Sequence, residues 1–200
     1  MAKRALDVLA SAVGLIILSP IIVIIALLIK LDSPGPVFYH GTRMGKDWKT
    51  FKMLKFRSMV ANAEKAGPDT HERDPRITRI GRFLRKTKLD ELPQLINVFF
   101  GEMSLVGPRP EVVDRANMYS DEERIVYTAK PGITDYASLW NAHEEEIVAG
   151  AQNFEESKKI YFEKVRPEKV RLQIKYVKEM SLATDIKIIL LTIKKIIFKK

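Results

Sequence analysis

The chain has 200 residues, of which 46% are hydrophobic, so it can bury one sizeable core. Its formal charge of +9 and its pI near 9.6 indicate anionic partners: nucleic acid, an anionic membrane surface or phosphorylated molecules. The absence of cysteine excludes disulfides, thiolate metal sites and a thiol nucleophile, and the scattered His40, His71 and His143 lack the spacing of a zinc site.

Residues 5–29 form an almost unbroken apolar segment that is long enough to span a bilayer. The run is longer than a usual signal-peptide core, which disfavours a cleaved leader. Pro20 cannot donate to the carbonyl one turn earlier and should kink the helix, while the Ser19 hydroxyl can bond back to a carbonyl. With cations at both ends, Lys3-Arg4 and Lys30, these features favour a re-entrant hairpin over a span by a small margin, because spanning helices also contain proline.

A short β-hairpin is predicted after the Pro- and Gly-rich residues 32–36. Alternating residues around 37–39 and 51–53 flank a turn at 44–47, and this is the only strong β pattern in the chain. The second arm is basic, which favours a solvated or headgroup-facing edge. Its cations are Lys49, Lys52, Lys55 and Arg57. Residues 61–76 are polar and interrupted by Pro, and they predict a surface loop.

An amphipathic basic helix is predicted over residues 77–87, and such a helix suits a membrane surface. Two adjacent carboxylates, Asp90 and Glu91, follow it. Because Pro93 is tolerated only in a first helical turn, a second helix should begin near Asp90, with Asp90 as a plausible N-cap. On local sequence a capping role and a catalytic role for Asp90 are evenly balanced. The preceding cations and the later Arg109 favour phosphate chemistry.

The remaining elements are predicted from breakers and caps. Gly101 is expected to end the second helix, and Gly-Pro-Arg-Pro at 107–110 makes a stiff loop on which Arg109 is either a phosphate clamp or a structural partner of a carboxylate. Shorter elements are expected as follows: a capping box at 120–123, a turn at 130–134, a solvated acidic run at 144–146, and helices over 153–165 and 168–180 separated by Pro167. From Ser181 onward, apolar residues interleaved with lysines predict an interfacial helix rather than a core or calmodulin-binding helix.

The order of these motifs resembles the bacterial sugar transferase family of monotopic phosphoglycosyl transferases. The resemblance rests on the whole run of residues 74–98, on Gly-Glu-Met-Ser-Leu-Val-Gly-Pro-Arg-Pro at 101–110, and on shorter matches at 33–38, 55–59 and 130–134. It implies a mixed α/β, mostly helical fold in three parts. These are a re-entrant membrane helix (1–31), a cytoplasmic catalytic domain with the small hairpin (32–180) and an amphipathic interfacial helix (181–200).

The resemblance also implies an activity: transfer of a sugar-1-phosphate from a UDP-sugar to polyprenyl phosphate, with UMP as the second product. It assigns Asp90 as the nucleophile and a ligand of the required Mg²⁺, and Glu91 as its partner. Arg109 corresponds to a phosphate-binding arginine, and Lys55 and Arg57 to a basic motif near the site. A Ser-Pro break in the family's re-entrant helix matches Ser19-Pro20. The implied location is the cytoplasmic face of the bacterial inner membrane.

Two departures limit the resemblance. Many family members continue after residue 134 with Gly-Trp or Gly-Leu, whereas Asp135 and Tyr136 follow here, so contacts to sugar or nucleotide are expected to differ. A later acidic position is occupied by Gln173, to which we assign no role. Expected partners are the two substrates and membrane lipid, with a homodimer and downstream glycosyltransferases as further possibilities. The alternative is a non-catalytic basic protein that binds membranes or nucleic acid by counterion release.

Overall fold

A computed structural model describes residues 1–63, 74–140, 147, 156 and 159–198. Its first element is helix α1 (Ala2–Asp32), which is assigned without interruption through Pro20. The Ser19 hydroxyl donates to the Ile16 carbonyl at 2.8 Å, which confirms the predicted bond back to the helix. The helix is long and apolar enough to cross a membrane. Re-entry at Ser19-Pro20 stays a prediction.

One side of α1 is buried along both halves of the helix. Asp7 and Ser11 are buried before Pro20, and Ile25 and Ile29 after it. This side packs against two later helices, α2 (Arg79–Thr87) and α3 (Gln94–Phe100). The opposite side exposes large apolar side chains: Leu9, Val13, Ile16, Ile17, Val23, Ile24, Leu27 and Leu31. An apolar surface therefore runs the length of a helix that is also fixed to the folded domain.

Both ends of α1 are attached to that domain by polar contacts. Near its beginning, Arg4 donates to the carbonyl of Val98 at 2.6 Å and to that of Phe99 at 2.7 Å. At its end, a carboxylate oxygen of Asp32 accepts from the Ile80 amide at 3.0 Å. A straight helix of this length is about 45 Å long, so these attachments lie far apart on the domain unless the helix bends.

The predicted hairpin is confirmed. Strands β1 (Phe38–Met44) and β2 (Thr50–Phe56) pair antiparallel, with Phe38 opposite Phe56 and Met44 opposite Thr50. A 3₁₀ turn (Lys46–Trp48) connects them. The rings of Phe38 and Phe56 stack with centroids 5.5 Å apart. Phe56 is buried with Leu84 against Ile25 and Ile29 of α1, so the base of the hairpin is held by the apolar core.

A second, parallel pair of strands was not predicted. Strand β3 (Ser104–Val106) pairs with β4 (Gly132–Thr134), so the expectation that residues 130–134 form only a turn was wrong. Each strand has three residues, which is too short for a recognisable alternation of apolar and polar side chains. Their pairing also joins segments 28 residues apart, which local sequence patterns cannot indicate.

The basic helix is confirmed as α2, with the Thr78 hydroxyl accepting from the Gly81 amide at 3.0 Å. The predicted N-cap at Asp90 was wrong. Lys88 has a left-handed conformation (φ 59°), a 3₁₀ turn (Leu89–Glu91) follows, and α3 begins only after Pro93, with no side-chain cap. Because the turn ends before Pro93, the Asp90 carboxylate is not used to cap the helix. Gly101 ends α3 with φ 87°, as predicted.

The later elements agree in part with the sequence. After α4 (Val113–Ala116), the capping box is confirmed, with Ser120 and Glu123 exchanging bonds at 3.0 and 3.3 Å, although it opens a 3₁₀ helix (Glu123–Thr128). The predicted break at Pro167 was wrong: a π-helical turn (Tyr161–Val165) continues into α5 (Arg166–Glu179), and proline is tolerated in that first turn. The expectations for 144–146, Asn153, His71 and His143 lie outside the described residues.

Helix α6 (Leu182–Ile197) closes the chain and is capped by Ser181, which accepts from the Thr184 amide at 3.1 Å. Its inner side is fixed by Asp185, whose carboxylate bonds to Lys3 of α1 and to the Tyr176 hydroxyl of α5, each at 2.7 Å. Its outer side exposes an apolar stripe at helical spacing: Leu182, Ile186, Leu190 and Ile193. The N-terminus, α5 and α6 therefore meet at one buried polar contact.

Candidate active site

The dyad Asp90-Glu91 is positioned by α3, which is fixed to the edge of β2 through Asn97. The buried Asn97 amide accepts from the Leu54 amide nitrogen at 2.9 Å and donates to the Lys52 carbonyl at 2.8 Å. The Asn97 side chain bonds to the free edge of β2 as the backbone of a neighbouring strand would, because a side-chain amide offers both a donor and an acceptor. As a result the 3₁₀ turn before α3 lies beside β2, and Glu91 faces Lys55.

Arg109 is positioned by the strand pair β3–β4. The Gly107 amide donates to the Thr134 carbonyl at 3.0 Å, and the Gly132 amide donates to the Pro108 carbonyl at 2.9 Å. The two glycines approach so closely that a Cβ on either would collide with backbone atoms of the opposite segment. The motifs Gly-Pro-Arg-Pro and Pro-Gly-Ile-Thr are therefore two halves of one structure, and their pairing fixes the residue that follows Pro108.

Glu91 is held by two cations. Its carboxylate accepts from Lys55 Nζ at 2.9 Å and from both terminal nitrogens of Arg109, at 2.6 and 3.4 Å. Burial alone would raise the pKa of Glu91, but Arg109 and Lys55 outweigh it and hold that pKa well below its ordinary value. Burial lowers the pKa of Lys55, and the charge of Glu91 opposes this change. Glu91 is therefore ionised and unable to accept a proton while this clamp persists.

Asp90 has a different environment from its neighbour. It is 7% exposed, and its buried Oδ1 atom has no hydrogen-bond partner among the residues that the structure describes. Burial raises the pKa of Asp90 above its ordinary 3.8, and the nearby charge of Lys55 opposes the rise. A buried carboxylate oxygen without a protein partner is costly, so its retention indicates a functional role rather than a stabilising one.

These side chains line one cavity of about 620 Å³, between the hairpin, the segment 57–63 and the end of α2. Asp90, Glu91, Lys55, Arg57 and Arg109 all contribute to its wall, so the structure brings the predicted polar site residues together. Further cations line it: Arg43, Arg85 and Lys88. A cavity of this size with several converging cations suits a phosphorylated small molecule.

Sequence reasoning missed Arg43 altogether. It lies on β1 and faces the cavity, where burial lowers its pKa. Its position in the hairpin, four residues after a predicted strand segment, was the only local signal. Arg85 and Lys88 belong to the cations that precede the dyad in the sequence. His40, which lacks the spacing of a zinc ligand, is exposed and also lines the cavity.

Arg57 makes contacts that its predicted phosphate-binding role did not anticipate. Its guanidinium donates to the carbonyls of Pro34 at 2.6 Å, Ser33 at 2.7 Å and Ile29 at 3.3 Å. These carbonyls lie at and just beyond the end of α1, where the helix leaves acceptors without internal partners. Arg57 therefore fixes the end of α1 to the wall of the cavity. Ser19 and Pro20 are not part of the cavity.

The residues that could hold a metal ion are few. Among the described parts of the chain, no cluster of three or more His, Asp or Glu side chains is present. Asp90 nevertheless lines the cavity, and its carboxylate, whose Oδ1 atom has no hydrogen-bond partner among the described residues, is an oxygen donor there. Mg²⁺ is commonly bound through one or two carboxylates together with water and substrate phosphates, so this donor set fits Mg²⁺ and does not fit a fully protein-coordinated ion.

The chain is similar to known proteins along almost its whole length. The family model described as "Bacterial sugar transferase" matches residues 1–199, and the chain belongs to that family. It is 39% identical over 199 residues to the UDP-glucose:undecaprenyl-phosphate glucose-1-phosphate transferase of Escherichia coli (strain K12), covering 96% of this chain and 39% of that protein.

Two other relatives differ in the share of their length that the chain covers and in what their names state. Exopolysaccharide production protein ExoY of Rhizobium meliloti (strain 1021) is 35% identical, with 96% of this chain and 84% of that protein covered. A putative undecaprenyl-phosphate N-acetylgalactosaminyl 1-phosphate transferase of Bacillus subtilis (strain 168) is 50% identical over 110 residues, covering 54% of this chain and 62% of that protein. The chain spans about two fifths of the length of the first relatives it matches.

Proposed function

We propose that this chain transfers a sugar-1-phosphate from a UDP-sugar to polyprenyl phosphate, through a covalent phosphosugar intermediate on Asp90. One observation carries the proposal: the two adjacent carboxylates of the cavity differ. Glu91 is held by Lys55 and Arg109, whereas Asp90 Oδ1 has no hydrogen-bond partner in the described part of the chain. A nucleophile such as Asp90 needs a carboxylate oxygen that is free to attack, whereas its partner Glu91 needs to be held in a fixed position. The names of several relatives, which describe transfer to undecaprenyl phosphate, support the same reaction class.

In the first step an Asp90 carboxylate oxygen attacks the β-phosphorus of the UDP-sugar. A bond forms between that oxygen and the phosphorus, the bond from the phosphorus to the bridging oxygen breaks, and UMP leaves. The attack brings an anion to an anion, so it requires neutralisation of the phosphate oxygens. Arg109, Lys55 and the cavity cations Arg43 and Arg85 can supply that charge.

In the second step an oxygen of polyprenyl phosphate attacks the same phosphorus and displaces the Asp90 carboxylate. Polyprenyl diphosphate-sugar is formed, and Asp90 is regenerated. Glu91 is the group placed to accept a proton from the lipid phosphate, because it is adjacent to Asp90 and lines the same cavity. It gains that ability only when Arg109 and Lys55 turn from its carboxylate to the substrate phosphates.

Mg²⁺ is the cofactor that we propose, with one carboxylate oxygen of Asp90 as its protein ligand. When bound, the ion would withdraw charge from the diphosphate oxygens. The other carboxylate oxygen of Asp90 would remain for the attack on phosphorus. The cations of the cavity keep their own function, which is to orient the phosphates.

We further propose that α1 is re-entrant, with Ser19 and Pro20 at its turn, and that the domain lies on the cytoplasmic face of the inner membrane. The supporting observation is that Arg4 and Asp32, at opposite ends of α1, both bond to the same folded domain. A helix that crossed the bilayer would separate these ends by the thickness of the membrane. The apolar outer sides of α1 and α6 would contact lipid, with lysines of α6 near the headgroups.

The first experiment measures UMP release from a panel of UDP-hexoses and UDP-N-acetylhexosamines by detergent-purified protein, with polyprenyl phosphate and Mg²⁺ present or omitted. We expect turnover only with both, and none for Asp90→Asn. The matched control is Asp121→Asn, an exposed carboxylate whose loss should leave turnover unchanged. Full turnover by Asp90→Asn would refute the covalent mechanism, and salt-dependent binding to any anionic polymer without turnover would favour the non-catalytic alternative.

Topology can be tested separately because the chain has no cysteine. Single cysteines at Ala2 and at Ser33 should both react with a membrane-impermeant thiol reagent added from the cytoplasmic side of inverted vesicles. Protection of one position and labelling of the other would mean that α1 spans the bilayer. The Pro20→Ala variant, carrying each cysteine in turn, tests whether the proline determines that topology.

A further inference from the structure

Asp135 is a buried carboxylate that the mechanism above does not use. It follows β4 directly and is 0% exposed. Its Oδ1 atom accepts from the amide and from the hydroxyl of Ser138, both at 2.7 Å. This is the capping arrangement that an Asp makes at the beginning of a helical segment, here residues 136–140.

The cap uses only one of the two carboxylate oxygens of Asp135. Oδ2 of Asp135 is buried and has no hydrogen-bond partner within the described ranges of the chain. Asn and Ser cap helices about as well as Asp and bring no charge into the interior, so folding alone does not explain a carboxylate at this position. A residue that lowers the stability of the fold, and whose cost no stabilising contact offsets, is expected to serve function.

The charged group that connects Asp135 to the active site is Arg109. Thr134, the residue before Asp135, accepts from the Gly107 amide at 3.0 Å, two residues before Arg109. Burial raises the pKa of the Asp135 carboxyl, while the positive charges of Arg109 and Lys169 oppose this rise. In the other direction, Glu91 is the main cause of the raised pKa of Arg109, and Asp135 adds to it. Arg109 therefore lies between two carboxylates, bonded to Glu91 and attracted by Asp135.

We infer that Asp135 is a positioning residue for Arg109, which it holds at the cavity wall while the Glu91 carboxylate is released to the reaction. The inference rests on the proposed function. Asp135 and Glu111 are the other carboxylates whose charges act on Arg109, so without Asp135 the guanidinium would be held mainly by Glu91 and would follow that carboxylate. With Asp135 present, Arg109 stays at the cavity wall when a diphosphate enters and displaces the guanidinium from Glu91. Asp135 touches neither substrate.

The side chain of Gln173 supports the same loop from behind. It is buried, accepts from the Tyr119 hydroxyl at 3.4 Å and donates to the Arg109 carbonyl at 3.4 Å. Gln173 therefore fixes the backbone of Arg109, whereas Asp135 acts on its charge. Segment 134–140 is itself fixed to α6, because Thr134 bonds to Thr192 at 2.8 Å and Lys195 bonds to the Leu139 carbonyl at 2.7 Å. Asp135 thus acts from a rigid support.

The test compares UMP-release kinetics of wild type, Asp135→Asn, Arg109→Lys and the double variant, with thermal stability measured for each. Asp135→Asn keeps an oxygen for the Ser138 cap and removes the charge. We expect KM for the UDP-sugar to rise about tenfold with kcat within about twofold, and the melting temperature to be unchanged or higher. A cap lost in folding would instead lower the melting temperature and the active fraction, and leave KM unchanged.

Coupling to Arg109 is measured by the double variant. If Asp135 acts through Arg109, adding Asp135→Asn to Arg109→Lys should raise KM by less than about twofold. Lys169→Met is the matched control: it removes the other cation that acts on Asp135, and it should leave KM unchanged. Independent, multiplying effects of the two substitutions, or a normal KM in Asp135→Asn, would overturn the inference.

A second readout does not depend on turnover, so that failure of the proposed function and failure of this inference remain distinguishable. Phenylglyoxal modifies accessible arginines, and the Arg109 side chain is 38% exposed. Peptide mass spectrometry should show Arg109 modified several-fold faster in Asp135→Asn than in wild type, with exposed Arg82 as the internal reference. Equal rates would overturn the inference even if wild type proved inactive towards every UDP-sugar.

Discussion

The contact between Lys3 and Asp185 allows a sharp test of how α1 is fixed to the domain. Lys3 Nζ lies 2.7 Å from Asp185 Oδ2, and the Asp185 side chain is 1% exposed while that of Lys3 is 28% exposed. Replacing Lys3 by Met leaves a buried carboxylate with the Tyr176 hydroxyl, 2.7 Å from Oδ1, as its remaining side-chain donor. Removing one partner of a buried ion pair typically costs about 3–5 kcal/mol.

We expect the lower end of that range, because Lys3 is partly exposed and Tyr176 remains as a donor. For a chain of 200 residues, about 3 kcal/mol corresponds to a fall in melting temperature of roughly 6–12 °C. The measurement is thermal unfolding in detergent micelles, repeated in liposomes. Lys30→Met is the matched control: this exposed lysine at the other end of α1 bonds only to the Gly35 carbonyl, and its loss should cost less than about 1 kcal/mol.

The double variant Lys3→Met, Asp185→Asn identifies the cause. If the loss arises from an unpaired buried charge, neutralising Asp185 should restore most of the stability lost in Lys3→Met. Equal melting temperatures for Lys3→Met and Lys30→Met would refute the reasoning, and so would a double variant whose loss equals the sum of the two single losses. Either result in liposomes alone would indicate that the membrane moves the N-terminus of α1 away from α6.

Two further predictions concern the strand pair and a surface ion pair. Gly107→Ala places a Cβ against the Lys130 carbonyl, so it should cost about 1–3 kcal/mol of stability and lower UMP release by displacing the arginine loop; wild-type turnover would contradict the close approach. The Arg166 hydrogen bonds lower the pKa of Glu123 below its ordinary 4.5, so the pair stabilises the fold above that pH and the contribution disappears as pH falls through the lowered value. Wild type should therefore melt above Glu123→Gln at pH 7, and the difference should shrink as the pH falls below 4.5; a constant difference would refute the linkage.

The sequence was a good guide wherever local chemistry determined structure. The capping box at 120–123 and the glycine that ends α3, Gly101, are each determined by a few adjacent residues, and both predictions are confirmed. The caps at Thr78 and Ser181 are equally local features, although they were not predicted. The family resemblance assigns the dyad, Arg109, Lys55 and Arg57 to the site, and all five residues line the cavity.

The structural features that could not be predicted from the sequence depend on contacts between distant segments. The pairing of β3 with β4 joins two motifs whose separate glycines carry no sign of their partner, and the burial of Asp135 depends on it. The contacts of Arg57 also could not be predicted from the sequence. The family resemblance assigns Arg57 to a basic motif near the site, yet its two terminal nitrogens donate to three carbonyls at and just beyond the end of α1. The partners of a long cationic side chain depend on tertiary structure.

The arrangement of charges around Glu91 implies an order for the two steps of the proposed reaction. Before substrate binds, Lys55 and Arg109 keep the Glu91 pKa well below its ordinary value, so this carboxylate cannot act as a base. Asp90 is under no such restraint. A diphosphate that draws both cations away from Glu91 would raise the pKa of Glu91, because each lost ion pair removes stabilisation of its charged form. Entry of the first substrate would thus prepare Glu91 for the second step, in which a proton must be accepted. The low pKa of Glu91 in the free protein is therefore consistent with a base that becomes active only in the loaded site.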